Sequence, residues 1–258
     1  MDAIVVAGGI PEPGDPLYPL TQGKPKALLE LAGKPMAQWV LDALDASHSV
    51  GQVVLIGLEP DSGLTLSKPI TYIPNQGGMV ENLIAGVKKL REINPESQKV
   101  LAASSDIPGI TGEMVDWLID DVNKSDKDAY YTIVTREVME ARYPGSNRSY
   151  TKLKGLEVCG GDLNVLAVRL VDRESEIWDK LTEARKSVLK QASLIGYGTL
   201  ILLLFRQLTM DSAVNRVTKR LGITGQAVVS PYAELAMDVD KPHQLEIVSR
   251  DLEVKAEA

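Results

Sequence analysis

Apolar and polar positions along the chain switch between two periods. Residues 3–6, 53–57 and 100–103 are short, continuous apolar runs, as expected of strands covered on both faces, and 70–73 is another short candidate strand. Between them the period lengthens. Residues 36–47 set Met36, Trp39, Val40, Ala43 and Leu44 on one helical face, with Pro35 at the helix start. Residues 79–92 do the same with Val80, Leu83, Ile84, Val87 and Leu90. Residues 113–122 read as helix and 129–134 as strand. The alternation predicts an α/β fold: a mostly parallel, mixed central sheet with helices on both faces and right-handed crossovers.

The pattern changes at Arg136. Residues 136–158 are polar, with Arg142, Tyr143, Arg148, Tyr150, Lys152 and Lys154, and read as an extended loop or hairpin. Residues 162–168 form a strand after Gly160-Gly161, and 175–190 an amphipathic helix. Residues 194–205 are the most apolar stretch, yet fall short of the roughly 20 residues that span a bilayer. A buried or half-exposed helix is expected there, with partner contact, a homo-oligomer interface or membrane contact as the alternatives. Residues 209–221 carry helix signals at both ends: Thr209 as cap, Asp211 in the first turn, Lys219 and Arg220 in the last, then Gly222. Residues 226–229 read as strand. The run from Ala236 to Pro242 leads into a closing helix, and the polar residues beyond Arg250 are expected to fray. No repeat and no Ser/Gly linker interrupts the chain, so a single domain over 1–258 is expected, with a helical insert at about 172–222.

Composition narrows the classes. Apolar residues make up 44% of the 258, aromatics only 5%, with Phe205 the single phenylalanine, so the core is aliphatic. Lys+Arg 28 against Asp+Glu 35 gives a net charge of −7 and no basic block, which argues against nucleic acid as a partner. A lone Cys159 suits a reducing compartment, and the acidic Asp2 with an immediate strand does not resemble a signal peptide. A cytoplasmic chain without a membrane span is the expectation.

Candidate chemistry gathers at strand ends. After the first strand come Ala7, Gly8 and Gly9, where bare backbone N–H groups can face an anion. A Pro/Gly-rich loop follows with Lys24, Lys26 and Lys34. Asp106, Asp238 and Asp240 end strand-like runs, a position that overlooks the ligand crevice of an open sheet. Two such carboxylates with phosphate oxygens and water can complete a Mg²⁺ site, although an aspartate before a helix is also a common N-cap. Gly77-Gly78 before a helix, flanked by Asn75, Gln76 and Asn82, offers donors and acceptors to an anion or a base. His48, His243 and Cys159 form no nucleophile set. No Walker loop, G-x-G-x-x-G or zinc spacing is present.

Several segments, in order, carry a resemblance. Ala7-Gly8-Gly9, Pro19-Leu20-Thr21, Pro25-Lys26-Ala27-Leu28-Leu29 and Gly33-Lys34-Pro35-Met36 resemble the opening signature of the nucleotidyltransferases. These include the sugar-1-phosphate nucleotidyltransferases and the molybdopterin and cobinamide-phosphate guanylyltransferases. Gly77-Gly78 with Asn82 and Gly86, Ser105-Asp106-Ile107-Pro108, Cys159-Gly160-Gly161-Asp162 and Asp238-Val239-Asp240-Lys241-Pro242 with Leu245 are similar to that family's later segments. The resemblance implies a Rossmann-like, GT-A type fold and transfer of a nucleotide from a nucleoside triphosphate to a phosphorylated small-molecule acceptor, with Mg²⁺. It implies that Ala7, Gly8 and Gly9 line the nucleotide and that Lys26 meets the triphosphate. Gly78 and Asn82 would border base and ribose. Asp106 would hold the metal with Asp240 or Asp238, and Arg148, Gly161 and Asp162 would face the acceptor.

The chain departs from the family at one point. An arginine is expected before Pro19-Leu20-Thr21, and alignment puts Pro16 there, in a loop carrying Glu12 and Asp15. Such an arginine steadies charge on departing pyrophosphate, so Lys24 is the substitute at hand. The departure and the unmatched apolar helix keep open a non-catalytic nucleotide- or sugar-nucleotide-binding regulatory subunit, and the Asp238-Val239-Asp240 segment, read as a D-x-D, keeps open a glycosyltransferase of the same fold. Residues 172–222 match no part of the family pattern.

Overall fold

The computed structural model describes residues 1–171 and 197–257. The first half alternates as its periodicity predicts: β1 (Asp2–Val6), α1 (Tyr18–Thr21), the small hairpin β2 (Glu30–Leu31) and β3 (Lys34–Pro35), α2 (Met36–Ala46), β4 (Val53–Ile56), β5 (Ile70–Ile73), α3 (Met79–Ile93), β6 (Lys99–Ser104) and α4 (Gly112–Val122). The second half adds β7 (Ala129–Thr135), α5 (Arg136–Arg142), β8 (Thr151–Leu153), β9 (Leu156–Gly160), β10 (Leu163–Ala167), α6 (Tyr197–Leu204), α7 (Met210–Leu221), β11 (Gly225–Ser230) and α8 (Pro242–Glu257).

Among the described residues nine strands form one large sheet in the order β5-β4-β1-β6-β10-β7-β9-β8, with β11 on the other edge of β7, and β2 and β3 pair apart from it. β5, β4, β1 and β6 run parallel, as do β7 and β11, while β10 is antiparallel to both β6 and β7. Two reversals leave β7 pointing the same way as β6, so the C-terminal ends of β1, β6 and β7 share one edge.

Each strand's alternate residues feed opposite cores. Ala3, Val5, Leu55, Leu101 and Ala103 pack with Val40, Leu44, Leu118 and Ile119 of α2 and α4. Ile4, Val54, Ile56 and Val100 pack on the other face with Val87 and Leu90 of α3. Gly86 allows the closest approach on that face, since a Cβ there would lie 2.8 Å from Ile56 and 2.9 Å from Ile4 side-chain carbons.

Two expectations need correction. Residues 136–142 are helical, not extended: Thr135 caps the turn by accepting from Val138 N, and Met139 is the helix's one buried side chain. A single buried position gives no periodicity to read. The expected hairpin is present farther on as β8–β9. The closing helix continues past Arg250 to Glu257, and its first residues beyond Arg250 are held, because Leu252 is buried and Asp251 accepts from Arg142 at 2.5 and 2.6 Å. The helix predicted at 194–205 is present where described, from Tyr197 to Leu204, and Leu204 and the following Phe205 are exposed. The amphipathic helix expected at 175–190 lies outside the described residues. Thr209 caps α7 as read, accepting from Ser212 N. Among the described residues no helix is long and apolar enough to cross a membrane.

Candidate active site

The glycine loop leaves β1 at the sheet edge and is held from two sides. Ala7 N donates to Ile56 O, and Asn75 Nδ2 donates to Gly8 O at 2.9 Å. Asn75 is itself set by α3: Asn82, buried, donates from Nδ2 to Asn75 Oδ1 and accepts from Gln76 N at 2.7 Å. Asn82 therefore shapes the 75–78 turn through both ends of its amide. Gly78 stands just ahead of the first turn of α3.

Lys26 follows from the same loop. Its backbone N donates to Gly9 O at 2.9 Å, which carries the lysine back beneath the glycines. Its Nζ then donates to Asp106 Oδ2 at 2.8 Å and to Asp240 Oδ1 at 2.5 Å. Burial works against the ammonium, but the two carboxylates outweigh it and raise the Lys26 pKa above its ordinary value. The cation is thus fixed between residues 80 and 214 positions away.

Backbone bonds place those carboxylates. Ser105 N donates to Val6 O, so the segment after β6 sits beside the end of β1. Val239 N donates to Asp106 O at 2.9 Å, locking 238–240 to the Asp106 turn. Gln244, buried in the first turn of α8, reaches back to accept from Asp240 N at 2.9 Å, an arrangement like a capping box.

Asp162 completes the cluster. Its N donates to Leu235 O, and its O accepts from Ser104 N. Burial pushes its carboxyl up to about 7; the charges of Asp106 and Asp240 add to this, while Arg148 and Lys26 oppose it. Gly161 is closely packed, since a Cβ there would meet Leu235 O at 3.0 Å.

Asp238 and Arg148 are joined to each other in an ion pair, with side chains only 12% and 14% exposed. Asp240 is thus the member of the Asp-x-Asp segment that shares Lys26 with Asp106. Lys24 is exposed on the loop. Lys34 lies 4.5 Å from the Trp39 ring and 2.7 Å from Asp42, tied from β3 to the following helix α2. In the loop that lacks the arginine, Asp15 accepts from Glu12 N, closing its own turn. Burial raises the Cys159 thiol, which fits an inert core residue.

Sequence reasoning missed Gly57 and Tyr131. A Cβ on Gly57 would lie 2.3 Å from Gly8 Cα, so Gly57 backs the glycine loop, hidden in sequence as the end of an apolar run. Tyr131 lies over Gly160, within electrostatic reach of Asp162 and Arg148.

The donor set fits a hard divalent cation. Asp106 Oδ1 is buried with no hydrogen-bond partner among the described residues. Asp240 stands across Lys26 from it, and every donor is oxygen. Among the described residues no group of three or more His, Cys, Asp or Glu closes a ready cage. A Mg²⁺ that completes its shell with water and substrate phosphate needs no such cage.

The family model of the MobA-like NTP transferase domain matches residues 3–190, so the family pattern extends over residues 172–190, contrary to the expectation from the sequence. Among solved structures, a hypothetical transferase from Thermus thermophilus is 32% identical, with a TM-score of 0.82 over 95% of this chain and 98% of its own. A CMP:2-keto-3-deoxy-manno-octonic acid synthetase complexed with CTP is similar in fold at 14% identity and TM-score 0.58, over 99% and 98% of the two chains. So is the 4-diphosphocytidyl-2C-methyl-D-erythritol synthase of Anaerococcus prevotii, at 12% identity and TM-score 0.60, over 98% and 95%. A comparison with curated proteins finds no match. On the extent of the family match and the Thermus likeness together, the chain belongs to the MobA-like NTP transferase domain family.

Proposed function

We propose that the chain moves a nucleoside monophosphate from a nucleoside triphosphate to a phosphorylated small-molecule acceptor, releasing pyrophosphate. The observation that carries this reading is Lys26, tied by its backbone to Gly9 and by its ammonium to Asp106 and Asp240. A backbone cradle, a lysine and two carboxylates are what phosphoryl chemistry asks of a protein, since it proceeds by positioning and charge neutralisation.

In this reading Ala7, Gly8 and Gly9 line the triphosphate, with Ala7 N kept in the sheet by Ile56 O and the N–H groups of Gly8 and Gly9 left for the phosphates, and Gly78 and the Asn82-shaped turn border base and ribose. Lys26 leaves its carboxylates to meet the phosphates. Asp106 and Asp240 would hold Mg²⁺, which supplies charge neutralisation across the phosphate oxygens. Gly161 and Asp162, on the β10 side, face the acceptor phosphate. Lys24, exposed on the loop where an arginine is missing, is the residue that would take its place.

The test incubates purified protein with Mg²⁺, each of the four common ribonucleoside triphosphates and a panel of sugar 1-phosphates, and measures pyrophosphate. Release that disappears in folded Lys26→Ala and Asp106→Ala variants is the expected result. Full activity in either variant would overturn it. The absent arginine favours a second reading, a regulatory subunit. Tight triphosphate binding without release from any acceptor supports that reading instead.

A further inference from the structure

A cavity of about 530 Å³ lies between the helices α6 and α7 and the face of β7, β8, β9 and β11. Its lining is aliphatic, with Ile133, Leu153, Val158, Leu208 and Val217 among the walls. A volume of this size is typical of pockets that hold a small organic ligand. α7 closes it without burying any of its own residues fully, although Val214, Val217 and Leu221 face inward.

The cavity reaches toward the candidate active site at two of its walls. Tyr131 and Gly160 are both wall residues. The Tyr131 hydroxyl lies over Gly160 so closely that a Cβ there would come to 2.0 Å from it. Two residues on is Asp162, and the Tyr131 phenol lies within electrostatic reach of both Asp162 and Arg148. Tyr131 therefore has its ring against the aliphatic wall and its hydroxyl toward the charged cluster. An aromatic with one dry side and one polar tip suits the junction of an amphipathic ligand.

We propose that this cavity receives the aliphatic portion of the acceptor, so that the substrate is a soluble phosphate monoester with a hydrocarbon tail. The phosphate end meets the Lys26–Asp106–Asp240–Asp162 cluster, and the tail passes Tyr131 to lie between α7 and the sheet. The inference rests on the nucleotidyl-transfer reading for the role of the phosphate end, but the tail site is tested by binding alone.

The experiment titrates the full chain calorimetrically with n-alkyl monophosphates from butyl to decyl, below their micelle concentrations. Affinity is expected to rise about threefold to fourfold per added methylene until the cavity is filled. Val217→Trp and, separately, Ala213→Phe fill the cavity from α7, and each is expected to flatten that dependence while triphosphate binding is unchanged. Affinity independent of tail length overturns the proposal. So does a length dependence that survives in both folded variants. Pyrophosphate release from sugar phosphates with no length dependence would leave the transfer reading standing and remove this one. Length dependence without release from any acceptor supports the tail site and removes the transfer reading.

Discussion

Gly57 and Gly8 touch backbone to backbone: a Cβ on Gly57 would lie 2.3 Å from Gly8 Cα and 2.6 Å from Gly8 N. Gly57 also has φ +95°, which a side chain resists on its own account. Gly57→Ala is therefore expected to cost about 1–3 kcal/mol of stability. It should also displace the glycine loop, weakening triphosphate binding by more than the lost stability explains. Thermal unfolding and nucleotide titration of the same preparation check both effects.

The proton on Asp162 makes stability depend on pH in a defined direction. An unperturbed aspartate releases its proton near 3.8, and the folded one holds it until about 7. Between these values the folded state binds more protons than the unfolded state, so stability falls as pH rises, and the loss is complete above about 7. Asp162→Asn removes that slope. At pH 8 the variant is expected to be more stable than the parent by about 1–3 kcal/mol, and at pH 4 the two should agree. Equal stability at pH 8 would refute the burial of this carboxyl.

Lys26 opposes the rise at Asp162. In Lys26→Met the Asp162 carboxyl should therefore titrate above the parent value. Carboxyl ¹³C resonances followed across pH 5–9 read this directly. An unchanged or lowered midpoint would place Lys26 outside the cluster.

Arg148→Met strands Asp238, a carboxylate whose side chain is 12% exposed. Breaking one side of such a pair costs about 3–5 kcal/mol, while replacing both partners with apolar groups can be close to neutral. Urea denaturation of Arg148→Met, Asp238→Leu and the double variant should show that non-additivity. Additive losses would mean that the two charges do not depend on each other.

Legibility in the sequence follows the range of the forces. The cap at Thr209, the α2 stripe through Trp39 and Val40 and the strand at 100–103 are local patterns, and the structure bears them out. α5 was missed because only Met139 among its residues is buried. The lysine between Asp106 and Asp240 was readable only through resemblance, because its contacts span 80 and 214 positions. Asp238 looked equivalent to Asp240. What separates them is Arg148, far away in sequence, and no local pattern announces that pairing. Tyr131 alternates like any strand residue, and its place beside Gly160 depends on β7–β9 pairing.

The bond from Val239 N to Asp106 O has a consequence for how the protein comes into being. Every strand of the large sheet precedes residue 238, so a growing chain can lay down that sheet while its lysine still lacks one of two anionic neighbours. Catalytic competence would then arrive late in synthesis, when α8 docks and Gln244 catches Asp240, so that unfinished chains hold the architecture without the chemistry.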